Sequence, residues 1–113
     1  MDNKIIIRIN SILDHIDEVI EDLKPLTFEE FEKSSLYMRA ISFSIALIGE
    51  QMINLQTKIG NEYPNLPWKR VRGMRNFIVH DYDSVDPIEV YKAAKEDLPE
   101  LKEALLKIKA EIK

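Results

Sequence analysis

An apolar residue at every third or fourth position is the feature of this chain that most constrains its fold. In the segment from Asp2 to Leu23 the pattern consists of Ile5, Ile9, Ile12, Ile16, Val19 and Leu23. This spacing places the side chains on one face of an α-helix, since a helix turns once in about 3.6 residues. Pro25 then predicts the end of the helix, because the residue before a proline avoids helical backbone angles.

Two further segments are also predicted to be helical. Thr27 and Glu30 predict a capping box that starts a short helix reaching Lys33. The run from Ser35 to Leu55 is the most apolar helix of the chain, and such a helix lies at the centre of a bundle or in a subunit interface. Its apolar residues are Leu36, Ile41, Ile45, Ile48, Met52 and Leu55, and we expect Tyr37, Phe43, Ala46 and Leu47 to widen its buried face.

The second half of the chain carries clear start and stop signals for helices. Gly60 predicts the end of the apolar helix, and Pro67 is placed to open the next one. Asp86 predicts the cap of a last helix, with a kink or restart near Pro99. With only three glycines in 113 residues, the chain predicts one domain, residues 1–113, folded as an all-α up-and-down bundle of four or five helices.

Composition narrows the class of protein. Cysteine is absent, which excludes disulfides and thiolate zinc sites and fits a cytoplasmic protein, and we expect no membrane span. The formal net charge is −4, yet the segment from Tyr63 to His80 contains no acid and four cations: Lys69, Arg70, Arg72 and Arg75. A local basic patch on an acidic body suits an anionic ligand that binds at one place.

The end of this basic segment contains the candidate site. Arg75 and Tyr82 are seven residues apart and Asn76 and His80 are four apart, so on a helix each pair shares a side. We therefore expect these four residues to flank one groove. The three apolar residues of the segment are expected to pack inside the protein: Phe77, Ile78 and Val79.

The residue types suggest phosphodiester cleavage. An arginine can stabilise the charge that builds on phosphate oxygens, and a histidine can take a proton from a ribose 2′-hydroxyl or return one to the leaving oxygen. The scheme needs no metal ion or cofactor. One histidine can hardly serve as base and acid in the same step, so a homodimer with two copies of the motif would solve the problem. The spacing alone also permits polar residues at an ordinary helix end.

The charged residues predicted to lie near the motif each have two interpretations. Glu50 could orient an arginine of the site, or it could be an ordinary ion-pair partner or surface residue. Lys69, Arg70 and Arg72 could attract RNA, because phosphate contacts provide most non-specific affinity, or they could form a solvated helix face.

The segment "LPWKRVRGMRNFIVHDYDSVD" closely resembles the HepT-like members of the HEPN superfamily. The signature of that superfamily is an arginine, four to six residues and a histidine, followed in the HepT branch by a tyrosine one residue later. Arg75, His80 and Tyr82 match it, and Asn76 matches the polar residue that commonly follows the arginine. The blocks "RAISFSIALIGE" and "EDLPEL" resemble two other family helices, so the likeness spans essentially the whole chain.

This resemblance implies a fold, an activity and a partner. Family members are small helical bundles that form homodimers with their two motifs facing one another, and many are metal-independent ribonucleases that act as toxins. They are typically paired with a nucleotidyltransferase antitoxin of the MNT type, which in some pairs attaches AMP to the motif tyrosine. Carried over to this chain, Arg75 and His80 are catalytic, Asn76 is supporting and Tyr82 is the modification point.

Two rivals remain open from the sequence. One is a non-catalytic module that binds a nucleotide or a nucleotidyltransferase in the same cleft, and the other is a purely structural helical dimer. A nucleotide-binding site also favours arginine and histidine, so the sequence does not separate binding from cleavage.

Overall fold

The computed structural model describes residues 3–112, and every regular element among them is helical. The helices are α1 (Asn3–Leu23), α2 (Phe28–Lys33), α3 (Ser35–Ile59), α4 (Trp68–Asp81), α5 (Pro87–Lys92) and α6 (Leu98–Ile112). A 3₁₀ turn, Tyr82–Ser84, follows α4, and a π-helical turn, Ala93–Asp97, joins α5 to α6. The predicted all-α class is confirmed. The predicted start at Asp2 and the end of the expected 1–113 domain lie outside the described residues.

Helix α1 contributes six buried residues to the core. Its predicted stripe is confirmed from Ile9 onward, with Ile9, Ile12, Ile16 and Val19 each 0% exposed. The stripe packs against α3 on one side and α6 on the other. These contacts bury the apolar faces of three helices together, which supplies most of the driving force for folding.

The local start signals are confirmed in atomic detail. The Thr27 hydroxyl accepts a hydrogen bond from the Glu30 amide at 3.1 Å, and the Glu30 carboxylate accepts one from the Thr27 amide at 3.0 Å. The Asp86 carboxylate accepts from the Ile88 amide at 3.1 Å at the start of α5. Each bond satisfies an amide that the first turn of a helix leaves without a partner.

The restart predicted near Pro99 takes the form of a π-helical turn. The amide of Leu98 donates to the carbonyl oxygen of Ala93, five residues back, immediately before Pro99 enters the helix. Proline has no amide hydrogen, and a wider turn beside it lets the chain continue without a clash. The described residues from Pro87 to Ile112 thus form one interrupted helical run.

Two contacts fix α4 in place. At its start the buried Trp68 donates from its indole nitrogen to the Tyr63 carbonyl oxygen at 2.9 Å. At its middle α4 approaches α3 so closely that a Cβ on Gly49 would lie 2.5 Å from the Cβ of Arg75. Glycine is therefore required at position 49 for the two helices to lie this close.

The expected burial of several apolar side chains is wrong. Phe43 is 68% exposed and Leu36 66% exposed on α3, and on α4 Phe77 is 48% and Val79 51% exposed, whereas Ile78 is buried as expected. The reason is that α4 packs chiefly on α3 through one narrow face, so the outer flanks of both helices remain uncovered. Within residues 3–112, none of the helices has the length and hydropathy needed to cross a membrane.

Candidate active site

Arg75 is held in place by a small polar network between α3 and α4. Its Nη2 lies 2.7 Å from a carboxylate oxygen of Glu50, and its Nη1 donates to the Asn76 side-chain oxygen at 2.8 Å. The Nε is buried and has no hydrogen-bond partner among the described residues. Because the side of the guanidinium at Nε is buried, only the remaining N–H groups of Nη1 and Nη2 can reach an incoming anion.

The position of this arginine follows from Gly49. The absence of a side chain there lets the Cβ and Cγ of Arg75 lie directly on the α3 backbone. The guanidinium is then directed along α3 to Glu50, the next residue. The side chain of Arg75 is only 26% exposed, so it has little freedom to adopt other conformations.

His80 has the opposite environment. It lies in the last turn of α4 and is exposed, and its imidazole makes no hydrogen bond or ion pair with any residue in the described part of the chain. Five residues after Arg75, it projects about 140° away around the helix axis. The imidazole is therefore free to meet a substrate or a second protein chain, and it makes no contact with the guanidinium of its own chain.

Tyr82 opens the 3₁₀ turn that follows α4. Its ring is half-buried against the core, and its carbonyl oxygen accepts a hydrogen bond from the Val85 amide at 3.1 Å. Its hydroxyl makes no hydrogen bond to another residue of the described chain. The turn thus fixes the backbone of Tyr82 and leaves its hydroxyl without an internal partner.

Fewer charges of the basic patch are uncompensated in the folded chain than the sequence alone indicates. The Arg70 guanidinium pairs with the Asp97 carboxylate at 3.1 Å, just as Arg75 pairs with Glu50. Arg72 donates to the side-chain oxygen of Gln56 at 3.0 Å, which leaves its charge uncompensated. Lys69 is exposed and has no partner within residues 3–112.

The structure brings together part of the predicted site. Arg75, Asn76 and Glu50 form one network, whereas no hydrogen bond or ion pair among the described residues joins His80 or Tyr82 to it. The partner of Arg70, Asp97, was missed because it lies 27 residues further along the chain. The described residues contain no group of three or more histidine, aspartate or glutamate side chains arranged to hold a metal ion.

The chain matches a known protein family over most of its length. The model of the family described as "Ribonuclease HepT-like" matches residues 12–108. The chain belongs to the HepT-like family. The resemblance to the HepT-like branch of the HEPN superfamily is thereby confirmed, and the match includes α4 and the whole Arg75-to-Tyr82 motif.

Relatives of this HepT-like chain carry ribonuclease names. It is 33% identical over 91 residues to "Putative RNase MJ1380" of Methanocaldococcus jannaschii, covering 80% of this chain and 84% of the relative. It is 33% identical over 97 residues to "Putative RNase MJ1216" of the same organism, covering 86% and 80%. It is 29% identical over 94 residues to "Probable ribonuclease HepT" of Thermococcus cleftensis, covering 83% and 86%. No solved structure matches the chain with significance.

Proposed function

We propose that this HepT-like chain is an endoribonuclease that cleaves RNA without a metal ion, with Arg75 and His80 as catalytic residues. The observation that carries the proposal is the contrast between these two side chains. Arg75 is fixed by Glu50 and Asn76 with part of its guanidinium open, and His80 is exposed and free of partners. A fixed cation can stabilise the charge on the phosphate and a free imidazole can transfer a proton, and both are steps of metal-independent phosphodiester cleavage.

The reaction follows from the chemistry of each group. His80 accepts the proton of a ribose 2′-hydroxyl, whose oxygen then attacks the neighbouring phosphorus. Arg75 donates hydrogen bonds to the phosphate oxygens, on which negative charge builds in the transition state. The bond from phosphorus to the 5′-oxygen breaks, and that oxygen takes a proton from a general acid. The products are a 2′,3′-cyclic phosphate and a free 5′-hydroxyl.

The second proton transfer supports a homodimer. One exposed imidazole cannot act as base and acid in a single step, and a second copy of the chain supplies another. Large apolar side chains lie uncovered on the two helices that carry the site, with Leu36 and Phe43 on α3 and Val79 on α4. Exposed apolar surface of this kind is typical of a protein interface. The proposed dimer uses this outer face of α3 and α4.

Tyr82 is the proposed point of regulation by a nucleotidyltransferase antitoxin. The tyrosine oxygen would attack the α-phosphate of ATP bound to that enzyme, forming a phosphodiester to AMP and releasing pyrophosphate. The hydroxyl has no internal hydrogen bond among the described residues, and Tyr82 is two residues from His80. An AMP group here places a bulky anion beside the catalytic residues, where it competes with RNA phosphate. Intact-mass analysis after incubation with partner and ATP should show AMP addition that Tyr82→Phe prevents.

The decisive experiment is expression of the chain without any partner protein. The wild type should arrest growth and fragment RNA. His80→Ala should do neither, and in vitro it should lower the cleavage rate by about 10²- to 10⁴-fold, the usual contribution of a general acid or base. The control is His15→Ala, since His15 is the other histidine of the chain and pairs with Glu18 on α1, away from the motif.

A different outcome would identify the rival. Normal growth and intact RNA for the wild type, with folded dimer present, would make the protein a binding module rather than a nuclease. Equal loss of cleavage in His15→Ala and His80→Ala would remove the catalytic role of His80. A monomer by light scattering would contradict the two-motif site.

A further inference from the structure

A groove runs along α4 on the side of the helix away from Arg75. No described side chain fills it. It lies between α4, the 3₁₀ turn and the start of α5, and we call it the α4–α5 groove. Its volume is about 420 Å³, which is large enough for one small planar ligand group. Its lining includes Gly73, Met74, Phe77, Ser84, Val85 and Glu89.

The floor of the α4–α5 groove is a glycine that the fold itself does not require. A Cβ on Gly73 would meet no described atom within 4 Å, in contrast to Gly49, where it would meet Arg75. Glycine in the middle of a helix lowers helix stability relative to alanine. Nothing within residues 3–112 occupies the space above Gly73, so this glycine leaves room for a molecule outside the chain to approach the helix backbone.

The wall of the groove is an uncovered aromatic ring. Phe77 is 48% exposed, with Met74 and Val85 completing an apolar lining around it. Proteins that bind single-stranded RNA stack its unpaired bases on such side chains. An apolar side chain of a protein partner would also fit between these residues, and the polar rim distinguishes the two occupants.

That rim presents hydrogen-bond acceptors without internal partners. The side chains of Glu89 and Ser84 are exposed and make no hydrogen bond or ion pair with any described residue, whereas the Asp86 carboxylate already accepts from the Ile88 amide. An ionised carboxylate can accept two parallel hydrogen bonds. Guanine presents two adjacent donors on its Watson–Crick edge, N1–H and the N2 amino group. Adenine, cytosine and uracil each present a donor beside an acceptor, which a carboxylate would repel.

The groove adjoins the proposed catalytic histidine. Gly73, Phe77 and His80 follow one another at spacings of four and three residues, so they lie on one stripe of α4. We propose that the α4–α5 groove binds a guanine base of the RNA whose phosphodiester is attacked at His80, with Phe77 stacking on the base and Glu89 accepting from its Watson–Crick edge. This inference rests on the proposed ribonuclease function and adds base specificity to it.

The test measures binding rather than cleavage, so that the two proposals fail separately. The probe is a fluorescent oligouridine with one central guanosine, compared with the same oligomer carrying inosine or adenosine there. Binding to full-length His80→Ala protein is followed by anisotropy. Guanosine should bind about tenfold more tightly than inosine, which lacks the N2 amino group, a factor worth about 1.4 kcal/mol. Glu89→Gln should remove the preference, and Glu29→Gln, another exposed acid in the first turn of a short helix, should retain it.

Gly73→Ala gives a second and independent readout. The added methyl group has open space within the chain, so the variant should melt at a higher temperature than the parent protein. The same methyl group occupies the floor of the α4–α5 groove, so affinity for the guanosine oligomer should fall about tenfold or more. Raised stability together with lowered affinity supports the groove, and unchanged affinity contradicts it.

The remaining outcomes separate the guanine site from the ribonuclease activity. If the wild type cleaves RNA but all oligomers bind His80→Ala equally, the guanine proposal fails and the ribonuclease stands. If the wild type cleaves nothing but the preference exists and depends on Glu89, the guanine site stands and the ribonuclease proposal fails. If Phe77→Leu turns a dimer into a monomer in light scattering, the groove is an interface between copies and the proposal is overturned.

Discussion

Helices α1 and α4 are both amphipathic, but the fold uses them in opposite ways. All the residues of α1 that the structure buries are apolar, and they are covered by α3 and α6. Of the described residues of α4, only Trp68 and Ile78 are buried. The helix packs chiefly on α3. Helix α1 therefore contributes its apolar face to the stability of the fold, whereas α4 leaves most of its surface exposed.

The largest expected effect on stability separates the two helices directly. Ile16→Ala should lower the free energy of unfolding by about 2–5 kcal/mol, because it removes a fully buried side chain and leaves a cavity. Lys69→Ala, at an exposed position of α4 outside the apolar face proposed for the dimer, should change it by less than about 0.5 kcal/mol. Urea unfolding followed by circular dichroism measures both. Equal losses would mean that α4 is as much a part of the core as α1.

The next effect concerns the seam between α3 and α4. Gly49→Ala should cost about 1–3 kcal/mol, because the new Cβ would lie 2.5 Å from the Cβ of Arg75 and the helices would have to separate. Gly73→Ala is the matched control in α4 and should gain about 0.5–1 kcal/mol. Thermal unfolding of both variants checks the signs. A neutral Gly49→Ala would show that the two helices separate without cost.

A smaller effect on stability, but a clear one on activity, is expected at Glu50. The pair with Arg75 is partly exposed, so Glu50→Gln should change stability by less than about 1 kcal/mol. If Glu50 positions the guanidinium, Glu50→Gln should lower kcat about tenfold with little change in KM, which corresponds to about 1.4 kcal/mol. Glu50→Asp keeps the carboxylate and should retain part of the activity that Glu50→Gln loses. Faster cleavage by Glu50→Gln would instead show that Glu50 competes with phosphate for Arg75.

The smallest effect lies in the seam between α1 and α6. The Lys102 ammonium donates to the Asp17 carboxylate at 2.7 Å, and this hydrogen bond raises the pKa of Lys102 above its ordinary value of 10.5. A raised pKa on a basic group stabilises the fold below pH 10.5 and ceases to do so as the pH rises through the higher value. Lys102→Met should therefore melt slightly below the wild type at pH 7, and the difference should vanish in strong alkali.

Thermal melts from neutral pH to above pH 11 would follow this change. The exposed Lys107 lies on the same helix and makes no ion pair within the described chain, so Lys107→Met is the control. A difference between Lys102→Met and the wild type that stays constant across the pH range would assign the effect to lost packing of the side chain and not to its charge.

Local sequence patterns predict the helices, several of their starts and the position of the motif. The stripe of α1 and the caps at Thr27 and Asp86 depend on residues within a turn or two of one another, so the local pattern is sufficient to specify them. The Arg75-to-Tyr82 motif is likewise contiguous, and with it the family could be recognised. The roles of its residues in RNA cleavage and modification stay proposals.

Which side chains are exposed and which charges are paired depends on the tertiary structure. Asp97 neutralises Arg70 from 27 residues away, and Glu50 neutralises Arg75 from the preceding helix, so a count of charges along the chain overstated the basic patch. Phe43 is apolar and was expected to widen the buried face of α3, yet it is exposed because no described helix covers its side of α3. The physical reason is that burial and ion pairing depend on where whole helices pack, and this is set by contacts between residues far apart in sequence.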